Sequence, residues 1–177
     1  IGYSFDITSK EINHILKKYS PNKSIFNIKK LSTIKAAKTI ANHINNKKIV
    51  AVFRGRAEFG PRALCNRSIL SNAFDKKTKN KMNILKHREN FRPVAPSVLK
   101  NCSKKVFENI LIDSPFMTQC QKIKNKFYNK LGGLNHYDFT ARPQIIGKYN
   151  VFMHHVLKQI RKHNGIGIVG NTSFNIK

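Results

Sequence analysis

The chain has 177 residues, 40% of them apolar, and a formal net charge of +26, a length that suits one domain with a real core and hardly two. No apolar run approaches the ~18 residues of a membrane span, and no stretch at the start reads as a secretory leader. Three cysteines (Cys65, Cys102, Cys120) without a C-x-x-C pair argue against a disulfide framework and a zinc knuckle, and fit a reducing cytoplasm.

In chain order, "DITSKEINHILKKYS" carries Thr8 and Glu11 at the spacing of a capping box, followed by Ile12, Ile15 and Leu16, and predicts a helix over Ser9 to Tyr19. "SPNKS" ends it at Pro21. A second helix is expected over about Thr33 to Asn46, with Ile34, Ala37, Ala41 and Ile44 on one face, and "KIVAVF" (Lys48 to Phe53) as a compact strand. "SIL" reads as a short strand, "DKKTKNKMNILKHR" as a polar helix turning Met82 and Leu85 to a core, and "PVAPSVL" as extended because of its two prolines. "SPFMTQCQKI" is expected to be another strand, and Asn129 to Gln144 a long loop of the kind that often carries function. "YNVFMHHVLKQIRKH" predicts a helix burying Phe152, Val156 and Ile160, and "GIGIVGN" a buried strand that runs into "NTSFN". Strands and helices alternate without an internal repeat, so the fold class is α/β.

The charge has two readings. Clustered Lys and Arg suit a polyanion partner, but the lysines are scattered doublets with no block of five or six, and Asn and Ile are abundant beside them, as A/T-rich codons produce. Composition bias therefore outweighs nucleic-acid binding.

Against that lysine background the arginines stand out. The first fifty-three residues hold ten lysines and no arginine, whereas six of the chain's eight arginines (Arg54, Arg56, Arg62, Arg67, Arg88, Arg92) fall between positions 54 and 92, and Arg142 lies in the long loop. A guanidinium fork grips phosphate or carboxylate with two bonds, which a lysine point charge does not match, so the cluster points to an anionic ligand; bracing of backbone carbonyls is the competing reading. No P-loop or G-x-G-x-x-G is present, so any nucleotide is held by side chains. "NTSFN" follows a buried strand, where ligands of open α/β sheets sit, or is an ordinary turn or cap. His154 and His155 diverge on their helix and make a poor metal site, and His136 with Asp138 is the better candidate for ligand contact.

"GRAEFGPRALCNRSIL", "NILKHRENFRPVAPSVL", "HYDFTARPQ" and "NTSFN" resemble, in order and spacing, the C-terminal domain of the O-carbamoyltransferases, which include nodulation-factor and antibiotic-tailoring enzymes. The resemblance implies a YrdC-like twisted mixed sheet with flanking helices around a basic cavity. It implies that residues 1–22 lead in from an N-terminal ATPase-like transferase domain, in cis or as a separate chain, and that residues 23–177 are a C-terminally truncated domain. It further implies binding of ATP, with Mg²⁺, and of carbamoyl phosphate, whose carbamate attacks the α-phosphorus to give carbamoyl-adenylate for transfer to a hydroxyl. The family's K-x-R and S-x-N motifs fall on Lys86 and Arg88 and on Ser173 and Asn175. Lys86, Arg88 and Arg92 are thereby assigned to catalysis, and Arg56, Arg62, Arg67, His136, Arg142, Asn171, Ser173 and Asn175 to binding. Cys65 and Phe139 stand where the family carries glycine. The alternatives are a nucleotide- or RNA-binding module without catalysis and an inactive split-gene fragment.

Overall fold

The computed structural model describes residues 2, 8–19, 28–58, 60–110, 113–134 and 136–175; the stop at Pro21 lies outside them. The capping box closes as its spacing predicts: Thr8 N–H donates to Glu11 Oε2 at 2.7 Å and Glu11 N–H to Thr8 Oγ1 at 3.2 Å. The helix it starts, α1 (Ser9–Tyr19), buries none of its residues. Helix α2 (Thr33–Asn45) buries Ala37, Ala41 and Ile44 but leaves Ile34 61% exposed, one turn outside the packed face. Its two alanines permit close approach to α5 (Val151–Asn164), against which it packs. α5 buries Phe152, Met153, Val156, Leu157 and Ile160, and ends at Gly165, whose φ of 75° is the left-handed cap that glycine adopts without cost.

Five strands form one mixed sheet in the order β1 (Val50–Phe53), β2 (Arg67–Asn72), β7 (Ile168–Ser173), β3 (Ala95–Leu99), β6 (Gln144–Ile146). All neighbouring pairs are antiparallel except β3 with β6. Alternation is clean on β1: Val52 is buried while Ala51 and Phe53 face outward. Central β7 is buried over its first four residues, as expected of a strand paired on both sides and covered on both faces. At Gly170 a Cβ would come within 2.5 Å of Ser71 Oγ and 2.9 Å of Val94 Cγ1, so any larger residue would force these buried neighbours to move. Leu70, Val98, Leu99, Ile146 and Val169 join the α2 and α5 residues in one core; each large side chain so buried contributes about 1.5–3 kcal/mol.

Helix α3 (Lys76–Leu85), capped by Asp75, packs on β2 and buries Met82, but Leu85 is 46% exposed, contrary to its expected inward position. Three further points differ from the sequence reading. A seven-residue helix, α4 (Lys100–Val106), follows β3 directly and was not expected. "SPFMTQCQKI" is irregular up to β4 (Gln121–Lys122), which pairs with β5 (Thr140–Ala141) in a small second sheet; Pro115 removes a backbone donor there. "NTS" is not a turn: Asn171, Thr172 and Ser173 continue β7 in register with Leu70, Ile69 and Ser68. Among the described residues no helix is long and apolar enough to cross a membrane.

Candidate functional site: an arginine-walled cavity and a lysine clasp

The loop joining β1 to β2 is built to hold arginines in place. Glu58 Oε1 accepts the N–H groups of Leu64 and Asn66 at 2.7 and 2.6 Å, and Asn66 Nδ2 donates to Arg56 O at 3.0 Å. Arg67 reaches back from β2, donating to the carbonyls of Arg54, Gly55 and Asn66, with its guanidinium 3.8 Å above the Phe53 ring. Arg67 thus follows the bracing reading.

Beneath the loop lies a buried polar cluster. Cys65 has φ 77°, the left-handed region, which is why a glycine pattern suits this position. Its thiol is fully buried and donates to Gln144 Oε1 at 3.1 Å, with Ser97 Oγ 3.3 Å away. Burial pushes this thiol up to about 12, so it stays protonated and acts as a donor. Gln144 Nε2 holds Leu64 O at 3.1 Å, and Asn171 Nδ2 holds Ala63 O at 3.0 Å while also reaching Ser97 Oγ. Asn171 therefore fixes the backbone next to Arg62. Phe139, at the other glycine position, also has positive φ, 60°, and its ring stacks on Tyr128 at 3.9 Å.

Above the cluster opens a cavity of about 860 Å³, with Arg54, Arg56, Arg62 and Arg142 in its wall. Arg54 lies 4.2 Å over the Phe152 ring, and burial draws its pKa below the ordinary value. The side chains of Arg56, Arg62 and Arg142 make no hydrogen bond or ion pair with any other described residue. Arg62, Met117 and Arg142 also line a second cavity of about 470 Å³, which adds His136, Asp138, Thr140 and Cys120. Here His136 Nδ1 sits 2.6 Å from Asp138 Oδ1, which also accepts from Thr140 N–H and Oγ1 at 2.9 and 2.8 Å. The Thr140 backbone bond first, and the His136 bond second, hold the Asp138 carboxyl down to about 2. A carboxylate at Nδ1 fixes the proton there and leaves Nε2 as the free ring nitrogen.

The remaining predicted residues gather elsewhere. Lys86 ends α3, is 7% exposed, and its Nζ donates to Ser173 O at 3.0 Å, Ser173 Oγ at 3.1 Å, Asn175 Oδ1 at 2.9 Å, and also to Asn175 O. Burial, and secondarily Arg88, lower the Lys86 pKa. Arg88 Nε donates to Asn83 Oδ1 at 2.6 Å, while its buried Nη2 has no partner among the described residues. Asn83 in turn holds the carbonyls of Asn90 and Arg92. Arg92 pairs with Glu89 at 2.7 Å on the surface. The K-x-R and S-x-N motifs thus meet each other, and Lys86, Arg88, Arg92, Asn171, Ser173 and Asn175 line neither cavity.

Arg54, Phe116 and Tyr149 also line the larger cavity and are not among the site residues expected from sequence. Arg54 was visible as a member of the arginine run; the two aromatics, far apart in sequence, carried no signal. Among the described residues no group of three His, Cys, Asp or Glu side chains is placed to hold a metal.

Residues 41–177 match the family described as Carbamoyltransferase C-terminus. The chain is 43% identical over 130 residues to an uncharacterized protein of Methanocaldococcus jannaschii, covering 72% of this chain and 21% of that protein. It is 40% identical over 145 residues to Nodulation protein NolNO of Sinorhizobium fredii, covering 78% and 21%. To the 3'-hydroxymethylcephem-O-carbamoyltransferase of Amycolatopsis lactamdurans it is 36% identical over 129 residues, covering 72% and 24%. The chain spans between about a fifth and a quarter of the length of these three relatives. It belongs to the carbamoyltransferase C-terminus family.

Proposed function

We propose that this domain binds ATP and carbamoyl phosphate and forms carbamoyl-adenylate for an O-carbamoyltransferase. The observation that carries the reading is the set of three unpartnered guanidinium groups, Arg56, Arg62 and Arg142, around one cavity. Keeping like charges together without protein acceptors raises the free energy of the folded chain, and a polyanion removes that cost. The larger cavity has room for a nucleotide. The smaller one, walled by the same Arg62 and Arg142 and by His136, suits a small phosphate-bearing co-substrate. Water first cleaves carbamoyl phosphate, releasing inorganic phosphate and leaving carbamate; a carbamate oxygen then bonds to the α-phosphorus of ATP, and pyrophosphate leaves with the electron pair of the broken P–O bond. Charge grows on phosphoryl oxygens, and fixed guanidinium donors stabilise it.

Mg²⁺ fits this scheme as a passenger on the nucleotide. The carboxylates at the cavities, Glu58 and Asp138, already accept backbone N–H groups, and the described residues offer no ligand set of their own. The Lys86 clasp takes part in phosphate binding only if substrate oxygens replace those of Ser173 and Asn175. The finished transfer to a hydroxyl belongs to the longer relatives' remaining sequence, an N-terminal transferase domain in this reading.

Calorimetric titration with ATP, with and without carbamoyl phosphate, combined with a pyrophosphate assay, tests the proposal. Saturable ATP binding and pyrophosphate release that depends on carbamoyl phosphate are expected. RNA binding that collapses with added salt, without pyrophosphate release, would replace it with a non-catalytic module.

A further inference from the structure

The larger cavity has a direction. It meets the 470 Å³ cavity along a charged wall, Arg62 and Arg142. It meets a third cavity, of about 620 Å³, along a different wall made by Pro115, Phe116 and Tyr149. Phe116 and Tyr149 are 50% and 63% exposed and share that wall, so together they offer ring surface to whatever fills the cavities. Tyr149 is nevertheless anchored: its hydroxyl donates to Ile145 O at 2.6 Å, so its polar end is occupied within the fold. Phe152, under Arg54, continues the aromatic lining into the cavity.

A nucleotide has the same polarity, a polyanionic tail at one end and a flat π-system at the other. Resting on the ATP-binding reading above, we infer that the triphosphate lies on the Arg62 and Arg142 side and the base stacks at the Phe116 and Tyr149 wall, which makes these two residues determinants of nucleoside binding. Stacking on an aromatic face needs no particular edge of the base, and it adds affinity that a bare polyphosphate does not receive.

The test compares ATP with inorganic tripolyphosphate, which shares the tail and lacks the base, on the full chain by calorimetry. Wild type binds ATP more tightly than tripolyphosphate. Phe116→Ala and Tyr149→Ala each weaken ATP by about tenfold and leave tripolyphosphate within about twofold. Tyr149→Phe, which keeps the ring, retains at least half of the ATP affinity. Phe116→Ala is expected to keep the native circular dichroism and melting, whereas the Tyr149 variants keep the native circular dichroism and melt slightly lower for the lost bond to Ile145 O. Equal losses for the two probes, or no loss for ATP, overturn the inference. If wild type binds tripolyphosphate but ATP no more tightly, the base platform fails while the anion cavity stands. If neither probe binds, both readings fall.

Discussion

Lys86 and Arg142 are both cations assigned to one site by sequence, yet they sit in opposite circumstances. The Lys86 ammonium is enclosed by four oxygens of Ser173 and Asn175. Arg142, with Arg56 and Arg62, faces a cavity and meets no acceptor among the described residues. In a chain with 34 Lys and Arg against 8 Asp and Glu, protein acceptors for cations are scarce. Where the fold supplies them, the cation ties chain segments together; here it fastens the end of β7 to the end of α3. Where it withholds them from clustered cations, the acceptors are expected to come from a ligand.

The sharpest way to break this contrast is to remove a cation from each side. Arg62→Ala or Arg142→Ala should lower ATP affinity by about 100-fold, the worth of charged hydrogen bonds lost from a phosphate, with the urea midpoint unlowered and, where the repulsion is felt, raised. An unaffected titration would return these arginines to the surface. Lys86→Ala should show the reverse: a loss of about 2 kcal/mol in urea unfolding, because buried oxygens lose a charged donor, and ATP affinity in the folded protein within about threefold of wild type. If Lys86→Ala instead abolishes ATP binding at unchanged stability, the clasp opens onto substrate and the two regions are one site.

The loop under the arginines offers a finer comparison. Cys65 keeps a side chain at φ 77°, which costs an L-residue about 1 kcal/mol, and recovers it through the buried thiol bonds. Cys65→Ala keeps the strain and loses the bonds, whereas Cys65→Gly loses the bonds and the strain together. Glycine should therefore be at least as stable as alanine here, against the usual order of the two. A clearly more stable alanine variant in urea would mean that the left-handed backbone of this turn does not penalise a side chain.

The smallest effect concerns pH. The Asp138 carboxyl is held down to about 2 in the folded chain against an ordinary 3.8, so its contribution is present above the ordinary value and lost as pH falls through the folded one. The stability difference between wild type and Asp138→Asn should thus be constant near neutrality and shrink between about pH 4 and pH 2. A difference that persists to pH 2 would show that the His136 and Thr140 bonds do not hold the charged form.

Much of this architecture was legible in advance, for identifiable reasons. α1 and α5 begin at polar caps and carry helical apolar spacing, and β1 is a pure apolar run, so local chemistry and tertiary fate agree. Ile34 and Leu85 misled because each extends a helical stripe beyond the surface that the sheet covers. α4 is too short for periodicity to register, and Asn171 to Ser173 look like turn residues until pairing with β2 extends β7 through them. For the site, the lysine background exposed the arginines, among them Arg56, Arg62 and Arg142 of the cavity wall. It could not separate them from Arg67, because whether a guanidinium meets backbone carbonyls or open space depends on the return of β2 beside the loop.

The cysteines have a practical consequence. Cys65 and Cys102 are buried and Cys120 is exposed, on the rim of the smaller cavity. A maleimide dye should therefore label one position of the native chain without any engineering. Its fluorescence would then follow filling of that cavity in real time, turning an odd thiol into a reporter for the co-substrate.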